Sequence, residues 1–554
     1  MKRLFALLLA LSAITSAFAD NVSPDRALTM AREFLNNGST KFNAGAGAQL
    51  KLAYQARSID GKPDYYVFNL DGNGGFVVVT GDNRTVPVWG YCTSGKFDYA
   101  SMPDNMKWWF SEYQRQLQYL RDNPSAKPRK AAKLATSVGP LLTSKWDQCA
   151  PYNHLCPSAH GKKPVSEGVD YYVYRAATGC VPTALAQIMN YHKWPVNGVG
   201  SKTYQSYVKE YEQQGSVVEY DRPIELSANF AQSTYRWNKM MNEYNVFKDS
   251  GNNGALTYQY LNENGVWIND NDFSSSSPNG AVAKLMSDLG IACSIVYGAS
   301  ERGGSSAGPE GVLDAMQNHF RYIATAHYRD NEENNYTVGG DWDQMLRDEL
   351  DAGRPIFYGG EAILEELDDN GNPQHARHAF VFHGYDNEGR FYVNWGWGGN
   401  NDDAFYSTLL EKSAGYKLDH TAIFLEPNRT GKSFSANVAI PNLASLIVGS
   451  DRSTPLTVWG QNLDHDVSIS VSGDASMFST VSSISAADAN SDEGRTVKVV
   501  YKPTKAGSHT AHLTLSAGEG VEPVTLMVTG SASVYCDANG NEELNIDDLA
   551  YAID

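Results

Sequence analysis

The chain has 554 residues, 42% of them aliphatic or aromatic and 19% charged, which is the composition of two to four ordinary packed domains. Its formal net charge of -18, from 45 Lys and Arg against 63 Asp and Glu, argues against a nucleic-acid partner. No apolar run beyond the N-terminal leader approaches the roughly 20 residues needed to span a bilayer.

That leader, MKRLFALLLALSAITSAFA, has two basic residues, a short apolar core and small residues at Ala17 and Ala19. Residues 1–19 therefore read as a signal peptide, Asp20 starts the exported chain, and the protein is secreted. Export permits disulfides, yet 6 cysteines are too few for a disulfide framework. Cys149 and Cys156 lie close enough in a Pro/Asn-rich loop to pair, whereas Cys92, Cys293 and Cys536 have no evident partner. Cys180 is then a candidate free thiol.

Ser23-Pro24-Asp25 caps a first helix, with Ala27, Met30, Ala31, Phe34 and Leu35 on one face. DYYVFNL and GGFVVVTGD are strand-like runs joined by the turn DGNG. A second amphipathic helix follows Pro103, with Met106, Trp109, Phe110, Tyr113, Leu117 and Leu120 on one stripe. The basic, proline-flanked stretch NPSAKPRKAAKLATSVGP then reads as an exposed, easily nicked linker. A compact exported unit before such a linker suggests a zymogen, and an ordinary interdomain hinge suits the composition equally well.

Residues 138–428 mix helix and strand patterns. Residues 434–533 are rich in Ser, Thr and Val, with alternating runs such as VSISVSG and RTVKVVYKP, the pattern of an Ig-like β-sandwich. In the terminal stretch, Asp537, Asn539, Asn541, Asn545 and Asp548 fall at positions 1, 3, 5, 9 and 12 of a calcium loop, with Glu543 lending a backbone carbonyl. This resembles half of a dockerin repeat (residues 535–554) and implies a structural calcium, although Glu542 stands where the turn glycine belongs. A polar, frayed terminus is the other reading. The two C-terminal modules would take a protein or glycan partner.

The chemistry centres on ATGCVPTALAQIMNYHKWP. Thr178 and Gly179 break the preceding structure, and Pro182 suits only a helix's first turn. Val181, Leu185 and Ile188 form the buried stripe. Cys180 thus opens a helix, where free backbone N–H groups and the positive dipole end lower a thiol pKa.

A base is expected in RHAFVFHGYDNEGRFYVNWGWGG, a β-hairpin around the turn DNEG. A four-residue loop pairs Tyr385 with Arg390 and Phe382 with Val393. Alternation then puts His378, Phe380, Trp395 and Trp397 on one face and His383 on the other. That parity breaks up a zinc triad of His375, His378 and His383, and no HExxH or paired CxxC motif exists. Catalysis therefore needs no cofactor.

A thiolate at a helix N-terminus facing a tryptophan-shielded histidine is the constellation of papain-like peptidases. AATGCVPTALAQIMNYH, HAFVFHGYDNEGRFYVNWGWGG and KWDQCAPYN together resemble the streptopain family of secreted bacterial cysteine peptidases, over roughly residues 24 to 427. GGFVVVTGD is similar to that family's inhibitory propeptide. The resemblance implies Cys180 as nucleophile and His378 as general base. It also implies Gln148 as side-chain oxyanion donor, Trp395 as buttress of His378 with Asn394 beside it, and an apolar P2 preference. The segments YRDNEENNYT and EELDDNGNPQ lengthen the Cys180–His378 spacing relative to the family and read as loops reshaping the cleft.

The expected architecture is α+β: a papain-like two-subdomain cysteine peptidase (138–428) behind an inhibitory α+β propeptide (20–137), then the β-sandwich and the partial dockerin-like calcium repeat. Its partners would be protein or peptide substrates and its own propeptide. An acyltransferase or transglutaminase-like enzyme on the same fold is one alternative, since fold does not fix reaction. An inert adhesin or scaffold is the other. With only two charged side-chain ligands, the terminal loop should bind calcium in the tens of micromolar or weaker. Calorimetric titration of the full chain tests this, and no heat at millimolar calcium would reduce the tail to a polar terminus.

Overall fold

The computed structural model describes residues 21–36, 42, 48–102, 104–130, 133–162, 172–214, 216–249, 255–299, 304–329, 341–367, 373–399, 403–411, 419–438, 441–491, 494–521 and 523–534. The leader, Cys536 and the calcium-loop residues Asp537 to Asp548 lie outside them, as do the middles of both acidic segments.

Helix α1 (Pro24–Asn36) buries Ala27, Ala31 and Phe34. It is followed by an antiparallel meander of β1 (Leu50–Arg57), β2 (Pro63–Leu70), β3 (Phe76–Thr80) and β4 (Val88–Cys92). Alternation sorts its side chains between two cores. Tyr66, Phe68, Val77 and Val79 meet α1, while Tyr65, Val67, Phe76 and Val78 meet helix α2 (Asp104–Asp122).

The meander does not end at its own edge. Strand β4 pairs with the peptidase region, in a sheet completed by β5 (Tyr322–Arg329), β6 (Ile356–Leu367), β7 (Pro373–Tyr385), β8 (Phe391–Asn394), β9 (Asp403–Phe405) and β10 (His420–Pro427). The ten strands run β1-β2-β3-β4-β9-β8-β7-β6-β10-β5, every neighbouring pair antiparallel. At the seam Tyr91 pairs with Ala404 and Gly90 with Phe405. Glycine is required at position 90, because a Cβ would lie 2.1 Å from the Phe405 ring.

Helix α3 (Cys180–His192) and helix α4 (Pro278–Ala292) pack on the opposite sheet face from α2. Helix α5 (Trp342–Asp351) joins α2 on its face through Trp342, Leu346 and Leu350. Every residue of α3 from Val181 to Asn190 is buried. The expected single stripe is too narrow, because the helix is covered on one side by the sheet and on the other by α4. Between α3 and α4 runs a long hairpin, Ser201–Gln214 with Ser216–Asn229.

The basic stretch after α2 is not a free linker. Arg129 donates its N–H to Leu409 (2.8 Å), Leu134 to Asn387 (2.7 Å) and Leu141 to His383 (2.8 Å), while Val138 and Tyr385 exchange two bonds. The Arg129 guanidinium forms an ion pair with Asp343 and lies 4.5 Å over the Tyr406 ring. Composition signals exposure, and Lys127, Lys130 and Lys133 are indeed exposed. The backbone nevertheless straps across the β7–β8 turn, because that turn presents carbonyls at its edge.

From Ser433 the chain forms a four-stranded and a five-stranded sheet around Leu456, Val458, Val499, Tyr501, Leu513, Leu515 and Val528. This sandwich sits against the peptidase region, with the Arg236 guanidinium 5.2 Å over Trp459.

The seam generates a prediction. Gly90→Leu should drive a side chain into Phe405, and overpacking costs about 1–3 kcal/mol. Hydrogen exchange at Ala404 and Phe405 should quicken roughly tenfold or more; unchanged protection would mean the seam tolerates a side chain.

Candidate active site

Gly179 has φ +90°, and a Cβ there would lie 2.9 Å from the Ser305 carbonyl oxygen. Only glycine enters this left-handed turn without strain, and the turn starts α3 at Cys180. Burial pushes the Cys180 thiol up, against the pull of the backbone N–H groups of Ala379, Cys180 and Val181. The expectation of a lowered pKa is therefore reversed in this form of the chain, where desolvation outweighs the helix terminus.

The hairpin register agrees with the sequence at Phe382–Val393, but Tyr385 pairs with Phe391 rather than Arg390. A bulge between Phe382 and Tyr385 absorbs the difference. It forms because Asp386 folds the turn inward, accepting the N–H groups of Glu388 and Arg390 and the Arg390 Nε at 2.8 Å. Aromatic rings of the N-terminal unit clamp this arginine, Phe34 at 4.9 Å and Tyr91 at 5.2 Å.

His378 is half-buried on β7, directly across from Gly360 on β6. Alternation places it with Phe380 and Phe382 on the face covered by α2, whereas Ala379 and Val381 face α3. Thiol and imidazole thus lie toward opposite faces of one strand. The Trp108 ring of α2 lies 6.4 Å from the His378 ring, and a Cβ on Gly360 would come within 2.9 Å of that indole. His383 points the other way, accepting the Leu142 N–H at Nδ1 (3.2 Å), and burial pushes it down to about 3.

Gln148 is buried beside the cysteine turn, its carbonyl accepting the Thr178 N–H at 2.9 Å. Trp395 is fully buried with its ring 4.9 Å from Phe380 and 6.2 Å from Trp109, and its carbonyl accepts the Asn105 amide at 2.7 Å. The side chain of Asn394, next to Trp395, is bonded to the cysteine helix. Its amide bridges Gln187 of α3 (3.0 Å) and the Ser144 carbonyl (3.0 Å), and its oxygen accepts from Gln187 (2.9 Å) and the Gly396 N–H (3.0 Å). It bolts the helix to the sheet. Cys149 and Cys156 are not joined: one thiol is at the surface beside Asp147, the other buried against Tyr297.

Sequence reasoning passed over Trp108, Gln187 and His420. Trp108 sits one residue off the apolar stripe of α2, so a one-face reading discards it. Gln187 carried a usable signal, as a polar residue seven positions after Cys180, set between the apolar Ala184, Leu185, Ala186 and Ile188, Met189.

A cysteine opening a helix, packed against a strand that carries a histidine, is the framework on which a cysteine peptidase is built. Comparison with known proteins places the chain more closely. The Peptidase C10 family model matches residues 146–406, and that of the Spi protease inhibitor matches residues 19–117. Streptopain of Streptococcus pyogenes is 30% identical over 383 residues, covering 68% of this chain and 82% of that protein. The thiol protease/hemagglutinin PrtT of Porphyromonas gingivalis is 27% identical over 452 residues, covering 77% of this chain and 44% of that protein. A solved structure of a Prevotella intermedia prointerpain A fragment is 27% identical and covers 68% of this chain and 98% of that one, with a TM-score of 0.46. The chain belongs to the Peptidase C10 family, and it is a cysteine-type peptidase carrying an inhibitor-like N-terminal domain.

The Asn394–Gln187 bolt can be tested in the full chain. Gln187→Leu removes the acceptor of the buried Ser144 hydroxyl (3.0 Å) and of the Trp146 N–H (3.3 Å), together with both bonds to Asn394, at a cost of about 1–3 kcal/mol. The denaturant midpoint should fall accordingly. A midpoint equal to that of the parent would show that the network contributes nothing.

Proposed function

We propose that the chain is the zymogen of a secreted cysteine endopeptidase. Cys180 is the nucleophile and His378 the general base; Gln148 and the Cys180 backbone N–H hold the oxyanion. Residues 20–137 are the inhibitory propeptide, residues 138–428 the peptidase, and bulky apolar P2 residues are preferred. Residues 1–19 direct export, and the terminal repeat binds calcium with no part in catalysis.

The observation that carries the reading is the position of Trp108. An indole from the inhibitor-like domain rests on Gly360 beside His378, so the base is held on the α2 face while the thiol lies toward the α3 face. A thiol and an imidazole separated by a strand cannot form a thiolate–imidazolium pair. Once the domain leaves, His378 can turn toward Cys180 and take its proton. The thiolate then attacks the scissile carbonyl carbon, Gln148 and the backbone N–H stabilise the oxyanion, and His378 protonates the leaving amine. Water attacks the thioester with His378 as base, releasing the acid product and regenerating the thiol. Trp395, wedged under Phe380, acts as a positioning residue by stiffening the β7 segment that must rotate.

Cys180→Ala should leave the fold intact and lower casein digestion by several orders of magnitude, because covalent catalysis is lost. Digestion at a tenth or more of the parent rate would mean another nucleophile. N-terminal sequencing of self-matured parent chain should find a cut between Lys127 and Val138.

A further inference from the structure

His378 and a second histidine flank the same glycine. Gly360 pairs with His378 on one side and with His420 of β10 on the other, so the two rings stand on one sheet face across a gap without a side chain. Trp108 fills that gap, 6.4 Å from the His378 ring and 5.7 Å from the His420 ring. Trp109 lies nearly parallel to His420 at 5.7 Å with an interplanar angle of 18°. Both indoles belong to α2.

The Tyr358 hydroxyl accepts the Trp342 Nε1–H (3.2 Å) and is hydrogen-bonded to His420 Nδ1 (2.8 Å). The other ring nitrogen, Nε2, is buried and without a hydrogen-bond partner among the described residues. His420 itself is only 1% exposed.

We propose that His420 makes docking of the inhibitor-like domain acid-sensitive: protonation of its ring, caged by Trp108 and Trp109, drives α2 off the face that carries His378. This rests on the zymogen reading above. A cationic ring carries N–H on both nitrogens, and its buried Nε2–H would have no acceptor in the cage. The charged and titratable groups acting on it come from four elements. Arg329 on β5 and Arg115 on α2 oppose a cation, Asp343 on α5 favours one, and Tyr358 on β6 is the hydrogen-bond partner. Glu112 on α2 acts on Tyr358, and His378 stands across the glycine. When α2 leaves, the cage and Arg115 leave together, and the ring meets water.

The sign follows from the two environments. Burial, then Arg329 and Arg115, push docked His420 down to about 3, whereas a solvated histidine titrates near 6.5. The undocked form therefore binds the proton more tightly. Docking is fully stable above about pH 6.5 and weakens about tenfold per pH unit below it, until the docked ring itself titrates.

Hydrogen exchange of α2 in the full-length Cys180→Ala chain, which cannot cleave itself, reads the undocked population. The same measurement on Cys180→Ala with His420→Gln cancels the intrinsic pH dependence of exchange when rates are divided at each pH. The parent-to-variant ratio should be flat above pH 7 and rise about 100-fold by pH 4.5. His420→Phe, which keeps a ring between the indoles, should give the same rise if the glutamine variant is poorly folded. A ratio that stays within about threefold down to pH 4.5 for both variants overturns the proposal. Casein digestion by the uncut wild-type chain at pH 7.5 would instead overturn the zymogen reading beneath it, so the two failures are distinguishable.

Discussion

Everything in this molecule is arranged around one antiparallel seam, where β4 of the N-terminal domain hydrogen-bonds to β9 of the peptidase region. The seam turns two units into a single ten-stranded sheet and fixes their relative placement to within a residue of register. With the strand axes set, α2 has one place to lie: across the face of β6, β7 and β10. Aromatic rings supply the contact, with Trp108, Trp109 and Tyr113 from one side and Tyr358, Phe380, Phe382 and Trp395 from the other. Large rings bury much area with few rotatable bonds, which makes this face rigid as well as apolar.

The same seam determines the electrostatics of the site. On the face closed by the α2 indoles burial lowers His420 to about 3, and on the opposite face burial against α3 raises the Cys180 thiol. Charge is admitted only where it is paired, as in Arg390 with Asp386 and Arg129 with Asp343. Both arginines lie at the β7–β8 turn or its strap, so the histidine hairpin is gripped at its tip by ions and over its middle by rings. Under the proposed mechanism, maturation is the loss of this grip.

The C-terminal sandwich meets the peptidase through the Arg236–Trp459 cation–ring contact rather than through a shared core. In the connection ahead of it Arg429 lies 4.9 Å over Trp194 and donates to the His192 carbonyl at 2.7 Å, at the far end of the cysteine helix. Its own core of Leu456, Val458, Val499 and Leu513 is separate.

What the sequence by itself determined is local and periodic. The cysteine turn, the helix it opens, the Phe382–Val393 register and the alternating parity of His378 against His383 all follow from residues a few positions apart, where glycine, proline and alternation act directly. The order of motifs was enough to resemble the right family. Tertiary structure decided what depends on long-range juxtaposition. Asn394 bonds to Gln187 because α3 lies there to receive it; Cys149 and Cys156 stayed apart because one faces solvent and the other the core. The basic stretch became a strap because the turn it crosses offers carbonyls. Trp108 and His420, 312 positions apart by their numbering, meet over Gly360 only because ten strands close in one order. Desolvation is a property of that closure, so no residue's neighbours in the chain could have shown that the thiol's pKa rises.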